Sequence, residues 1–232
     1  MQLFFVDGGG EGSELEISGD EAHHLLHVLR KKKGDVIQVL DGKGHKIQLK
    51  IIEIKAHSCR GRVLSIEVFG LPGKSVLHLA ISPLKSPDRM EWLIEKGTEL
   101  GVQSFQFIMC KHTFKVRVNL KRMEKIVQSA IKQSQRGILP KVLPPVTFTE
   151  FLNKDHQEYA GKFIAYCGEW KKKPLPTLAP EGSFLGFVGP EGDFTEEEVF
   201  LAAGKGIEVI SLGNMTLRAE TAGIYLASKF CV

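Results

Sequence analysis

The sequence predicts an α/β protein in two parts, a small N-terminal β-barrel and a larger C-terminal part built on a parallel sheet. Three observations lead there. Residues 1–71 hold five short runs rich in Val, Ile and Leu, and a single helical pattern. From residue 72 onward, strand-like and helix-like periods alternate. Near the C-terminus two strand–glycine loop–helix units lie close together.

The N-terminal strands are expected at Leu3–Val6, Glu14–Ile17, Val36–Leu40, Lys46–Lys55 and Arg62–Phe69. Gly8-Gly9-Gly10, Asp41-Gly42-Lys43-Gly44 and Cys59-Arg60-Gly61 read as turns between them. Ser18 and Glu21 form a capping-box pattern ahead of a helix whose apolar face is Ala22, Leu25, Leu26 and Leu29, with Gly34 ending it. His23 and His27 stand four apart and could share a helix face, but no third ligand follows at metal-site spacing. Helix-surface or RNA-facing histidines are the preferred reading.

Leu71-Pro72-Gly73-Lys74 reads as a linker, giving domains at 1–71 and 72–232. Val76–Ile81 is the first strand beyond it. Ser86-Pro87 opens a helix with Met90, Leu93, Ile94, Gly97 and Leu100 inside, and Gly101 stops it. Val102–Ile108 is a strand and Lys111–Val118 a loop. Asn119 caps a helix carrying Ile126, Val127, Ala130 and Ile131. Thr149 caps a short helix ending at Leu152, Lys162–Cys167 is a strand, and Gly168–Pro180 is a loop.

The two C-terminal units carry the chemistry. Phe184–Val188 runs into Gly189-Pro190-Glu191-Gly192-Asp193, and a Thr195–Glu198 capping box opens the next helix. Ile207–Ile210 runs into Leu212-Gly213 and a polar loop. A helix follows with Ala222, Leu226 and Phe230 on one face. Arg218 and Glu220 sit where that loop becomes the helix. They read either as charges that pair with each other or as charges directed at a ligand. Ligands of open α/β sheets bind beyond the carboxyl ends of the strands, so the two loops side by side would form one pocket.

The net charge is +4, unevenly spread. Lys111–Lys141 holds nine Lys/Arg against the single acid Glu124, and Arg30-Lys31-Lys32-Lys33 is a second basic cluster. Glu181–Phe200 holds six acids and no Lys or Arg. Basic stripes read as solvated helix faces or as a nucleic-acid footprint. The amides and arginine of Gln133-Ser134-Gln135-Arg136, at a helix end, suit phosphate or base contacts. No run approaches a membrane span, the N-terminus has no signal-peptide pattern, and the four scattered cysteines fit a reducing cytosol. No dinucleotide fingerprint, P-loop or nucleophile elbow is present.

Gly189-Pro190-Glu191-Gly192, taken with Leu212-Gly213-Asn214-Met215-Thr216-Leu217-Arg218-Ala219-Glu220-Thr221-Ala222, resembles the knotted SPOUT methyltransferases. His24 through Arg30 and the Asp41-Gly42 turn resemble the PUA-like barrel of the RsmE family. Ile94-Glu95-Lys96-Gly97-Thr98-Glu99-Leu100-Gly101 and Gln133-Ser134-Gln135-Arg136 resemble its central motifs. The resemblance covers essentially the whole chain. Two positions depart from the pattern. Ala219 stands where threonine is more common, and Lys132 stands where glutamate is usual.

The resemblance implies a SPOUT-type α/β domain with a deep trefoil knot behind a PUA-like β-barrel. It implies a cytoplasmic homodimer that uses S-adenosylmethionine, without metal or membrane. The expected reaction is methylation of N3 of one uridine, uracil 1498, in 16S rRNA of the small ribosomal subunit. Gly189, Glu191, Gly192, Leu212, Gly213 and Leu217 would then line the cofactor site, and Arg218 would sit by the methyl group and the base. Arg218 cannot be a base, so its expected role is to stabilise the uracil anion. Glu220 either takes the proton or holds Arg218, and holding is favoured. Arg30, Lys31, Lys32, Gln133 and Arg136 are the expected RNA contacts. The alternative is a non-enzymatic RNA-binding ribosome assembly factor.

Overall fold

The computed structural model describes residues 3–6, 12–115, 117–175 and 181–231. The expected Gly8-Gly9-Gly10 turn and the end of the 168–180 loop lie outside them. The chain divides into two compact units, Met1–Leu71 with Ile131–Leu139, and Pro72–Ala130 with Pro140–Val232.

The first unit holds β1 (Leu3–Phe5), β2 (Glu14–Ser18), α1 (Gly19–His23), β3 (Val36–Leu40), β4 (His45–Ile54) and β5 (Ser58–Val68). The strand order is β1-β3-β4-β5-β2, parallel between β1 and β3 and antiparallel elsewhere. Phe4 of one edge strand and Ile17 of the other share a buried cluster with Val39, Ile47 and Leu49 from the middle strands. Edge strands can meet one core only if the sheet curls, and this one does.

Three local expectations change here. Cys59-Arg60-Gly61 is not a turn but the start of β5, the longest strand of the unit. The glycine is there because the Leu49 side chain crosses it, with Cβ 3.0 Å from where a Gly61 Cβ would stand. Ser18 makes no side-chain cap. Glu21, its expected partner, instead accepts the Phe5 N–H at 3.1 Å and pairs with Lys132. The helix ends before Gly34. It passes into a π-helical turn, His24–Val28, closed by Leu29 N–H donating to His24 O at 3.0 Å, and Arg30 follows at φ 52°.

The second unit is a seven-stranded sheet among the described residues, parallel throughout. Its elements are β6 (Ser75–Ile81), α2 (Pro87–Leu100), β7 (Ser104–Met109), α3 (Leu120–Ser134, whose last turn belongs to the first unit), β8 (Lys141–Thr147), α4 (Phe148–Leu152) and β9 (Gly161–Ala165). There follow β10 (Lys173–Pro174), β11 (Gly182–Val188), α5 (Glu196–Gly204), β12 (Glu208–Ser211) and α6 (Ala219–Phe230).

Several helix signals act as the sequence implies. Pro87 opens α2 and Gly101 closes it at φ 111°. Asn119 Oδ1 accepts Arg122 N–H ahead of α3, and Thr195 and Glu198 form a complete capping box on α5. One signal is displaced. The cap of α4 is Thr147, which accepts Glu150 N–H, and Thr149 lies inside the helix.

Both faces of the sheet are covered, because alternate residues of a strand point to opposite sides. Leu185 and Phe187 of β11 join a core with Phe148 and Phe151 of α4 and Val199 and Ala202 of α5. Phe184 turns the other way, its ring centroid 4.8 Å from that of Phe230 on α6. Burying each such phenylalanine contributes about 1.5–3 kcal/mol. On that second face Gly223 lets α6 approach α2, since a Cβ there would stand 2.6 Å from Leu93 Cδ1.

The strand order is β10-β12-β9-β11-β6-β7-β8. The chain steps outward through β6, β7 and β8, and then returns to lay down β9. It leaves a slot beside β6 that β11 later fills, and β12 takes the far side of β9. This crossing brings the carboxyl ends of β9, β11 and β12 together, which is where the site forms.

Candidate functional site

The loops leaving β9, β11 and β12 close on one cavity of about 610 Å³. Its walls are Ala165–Cys167, Val188–Asp193 and Ser211–Glu220, with Arg89 of α2 and Lys172 at the side. Gly189, Glu191, Gly192, Leu212, Gly213, Leu217, Arg218 and Glu220 all line it. The two loop motifs therefore meet in one place.

The loop after β11 is held from three directions. Glu191 Oε1 accepts Lys85 N–H from the loop after β6, at 2.9 Å. Asp193 accepts Cys167 N–H through Oδ2 and Phe194 N–H through Oδ1, both at 2.8 Å, tying the end of β9 to this loop. His112 Nδ1 lies 2.9 Å from Gly192 O and 3.1 Å from Asp193 O. Both partners are carbonyls, so Nδ1 carries the proton and donates. Asp193 adopts φ 61° under these constraints.

The loop after β12 folds on itself. Ser211 Oγ donates to Gly213 O at 3.0 Å and accepts Gly213 N–H at 3.3 Å. Gly213 has φ 132°, and a Cβ there would meet nothing within 4 Å. Glycine is required by the backbone angle, not by lack of room, and leaves open space in the cavity wall.

Arg218 is the N-cap of α6 and is exposed, and no hydrogen bond or ion pair engages its guanidinium among the described residues. Glu220 is buried, at 8% exposure. Its ion pair is with Arg89, Nε to Oε1 at 3.6 Å, rather than with Arg218. The expected holding of Arg218 by Glu220 is therefore replaced by a pair reaching across to α2, which leaves Arg218 available to a ligand.

Cys167 also lines the cavity. Desolvation, with the Asp193 carboxylate adding to it, pushes its thiol above the ordinary value. It stays protonated at neutral pH and is no thiolate nucleophile.

The RNA-contact candidates belong to the first unit. Arg30, Lys32 and Gln133 are exposed, while Lys31 and Arg136 are partly buried. Lys32 N–H donates to Asp35 at 2.9 Å. Lys132 pairs with Glu21, so the position that departs from the family pattern is a cation in a structural ion pair. His23 and His27 have ring centroids 4.9 Å apart, and no group of three metal-ligating side chains occurs among the described residues.

Sequence reasoning missed Arg89, Lys85 and His112 as parts of the site. No spacing rule joins residue 89 to residue 220, or residue 112 to residue 192. Asp193 did have a signal, standing directly after Gly-Pro-Glu-Gly.

Comparison with known proteins agrees with this geometry. Residues 72–230 match the model of an RNA methyltransferase domain, and residues 17–64 match an RNA methyltransferase PUA domain. The chain is 31% identical to the ribosomal RNA small subunit methyltransferase E of Bacillus subtilis, over 98% of this chain and 95% of that one. A probable rRNA methyltransferase from Porphyromonas gingivalis superposes with TM-score 0.86 at 32% identity, covering 98% of this chain and 95% of that chain. The ribosomal RNA small subunit methyltransferase E of Neisseria gonorrhoeae, solved bound to S-adenosyl methionine, superposes with TM-score 0.85 at 29% identity, with the same coverage. With both units matched and the two loop motifs assembled in one cavity, the chain belongs to the ribosomal RNA small subunit methyltransferase E family of RNA methyltransferases.

Proposed function

We propose that this protein is an S-adenosylmethionine-dependent methyltransferase that methylates N3 of uracil 1498 in 16S rRNA. The observation that carries this reading is the single cavity in which both loop motifs meet, with an unengaged arginine at its wall. In the same reading the chain at β9, β11 and α6 forms a deep trefoil knot around the cavity. The N-terminal unit is a PUA-like RNA-binding barrel, and the protein works as a cytoplasmic homodimer.

The cavity fits the cofactor. Its volume lies within the range of small-molecule sites, about 300–1,000 Å³. Its walls mix the apolar side chains of Leu212 and Leu217 with the backbone of three loops. Gly189, Gly192 and Gly213 keep side chains out of the way, and Glu191 and Asp193 fix the loop that faces it. Bound there, S-adenosylmethionine supplies an electrophilic methyl group on sulfur.

The chain's own contribution is alignment and charge. N3 of uracil gives up its proton to water, attacks the methyl carbon, and the carbon–sulfur bond breaks. Arg218 donates to O2 or O4 as negative charge spreads onto them. Glu220 holds Arg89 and stays out of proton transfer. The exposed cations Arg30 and Lys32, with Lys31, Gln133 and Arg136, grip the RNA backbone.

Small ribosomal subunits lacking the mark are incubated with the protein and tritiated S-adenosylmethionine, and the label is mapped by reverse transcription. A methyl on N3 blocks base pairing, so arrest at one uridine is expected. Cofactor binding without label in the RNA would overturn the reading and favour an assembly factor.

A further inference from the structure

Beside the cavity, the loop after β7 presents an aromatic ring for which the pocket gives no use. Phe114 is 46% exposed, and Lys85 Nζ lies 4.9 Å from its ring centroid. Lys111, Lys115 and Arg117 flank it, all exposed, and residues 111–118 contain no acid.

The backbone that leads to the ring is fixed at the two residues before it. Thr113 Oγ1 accepts Cys110 N–H at 2.7 Å and shares a hydrogen bond with the buried Ser82 Oγ, also at 2.7 Å. His112 donates to the carbonyls of Gly192 and Asp193. Lys85 is fixed through its backbone by Glu191. The contacts run Glu191 to Lys85 to Phe114, and back through His112 to Gly192, so the ring stands on the same loops that wall the cavity.

We infer that Phe114, with Lys85, is a stacking platform for a nucleobase of the single-stranded RNA next to the methylated base. An aromatic face takes any base, and surrounding cations draw in the phosphates, which is how proteins hold unpaired strands. A base to be methylated at N3 must leave its pairing partner, and its neighbours then need support. This inference rests on the RNA methyltransferase reading above.

The test compares Phe114→Ala, Phe114→Leu and Phe114→Tyr with the wild type in three measurements. These are methyl transfer to unmethylated small subunits, calorimetric binding of S-adenosylmethionine, and thermal unfolding. Alanine and leucine are expected to raise KM for subunits about tenfold, with cofactor affinity and melting temperature near wild type. Tyrosine, which keeps the ring, recovers most of the loss. A Phe114→Trp variant adds an optical readout, because its emission should be quenched by a fluorescein-free single-stranded oligoribonucleotide. Leucine behaving as wild type, or no quenching with the oligoribonucleotide, would overturn the platform. Wild-type protein that binds the cofactor but methylates no subunit would instead sink the proposed function, while the quenching still reports on the platform.

Discussion

Glu220, buried at the start of α6, has its carboxylate 3.6 Å from the guanidinium of Arg89 in the first turn of α2. The two ends of this pair are unequal. The Arg89 side chain is 43% exposed and that of Glu220 10% exposed. Water screens the arginine, so the attraction itself is worth about 1 kcal/mol or less. A carboxylate left buried without a partner costs more than that attraction.

Arg89→Ala is therefore expected to destabilise the protein by about 1–2 kcal/mol, read as a lower urea midpoint at unchanged slope. In the Arg89→Ala, Glu220→Gln double variant the losses should be less than additive, because the second change removes the charge that the first strands. Strictly additive losses would mean that the pair is not coupled in solution.

Gly213 gives a prediction about the cavity. At φ 132° any side chain is strained by about 1–3 kcal/mol, although nothing stands within 4 Å of its Cβ position. Gly213→Ala should lower stability while leaving measurable S-adenosylmethionine binding. Gly213→Trp should abolish binding by filling the open space. Full cofactor affinity in the tryptophan variant would move the cofactor site away from this loop.

His78 predicts an acid limb to the stability curve. It lies on β6 with Nδ1 2.8 Å from Ser104 Oγ and its ring 5.1 Å from that of Tyr159. Burial holds its pKa below the ordinary 6.5, with Glu158 opposing and Lys141 adding. Below pH 6.5 the unfolded chain takes up a proton that the folded chain resists. Stability is full above that pH and falls as pH drops through the lowered value. His78→Gln, which can still bond Ser104, should flatten the decline in melting temperature between about pH 7 and pH 5.5. An identical slope in the variant would remove His78 as its source.

What could be read beforehand divides along physical lines. Signals confined to one element were legible. Pro87 and Gly101 bracket α2, Asn119 caps α3, and Thr195 with Glu198 caps α5. The two glycine loops were legible because each follows an apolar run that can only be a buried strand. β8 was not, since Lys141–Thr147 contains Pro144 and Pro145. It survives as a strand because it is the edge of the sheet, with only β7 to pair with, and because its register against β7 shifts between Gln106 and Ile108, opposite the two prolines. The Cys59-Arg60-Gly61 segment misled for a related reason. Gly61 serves a close crossing by Leu49 within a strand, and glycine at a turn looks the same in sequence. Within the site, Arg89 and His112 were invisible because their partners lie far along the chain.

Arg218 carries the sharpest prediction. It occupies the N-cap position of α6 and lines the cavity, and its guanidinium has no partner among the described residues, whereas its neighbour Glu220 is already committed to Arg89. A cation held near a ligand without a protein counter-ion is suited to a charge that develops during reaction. Arg218→Ala should therefore lower kcat for methyl transfer about 10²–10³-fold, the size seen when a single donor to a developing anion is removed. Affinity for S-adenosylmethionine should stay within about twofold, because in the proposed reading the backbone of three loops, not Arg218, would hold the cofactor. Arg218→Lys keeps the charge but loses the planar fork, and should recover part of the rate. Normal turnover in the alanine variant would exclude the electrostatic role. A loss of cofactor affinity that fully accounts for the lost rate would make Arg218 a ligand of the cofactor rather than a stabiliser of the base.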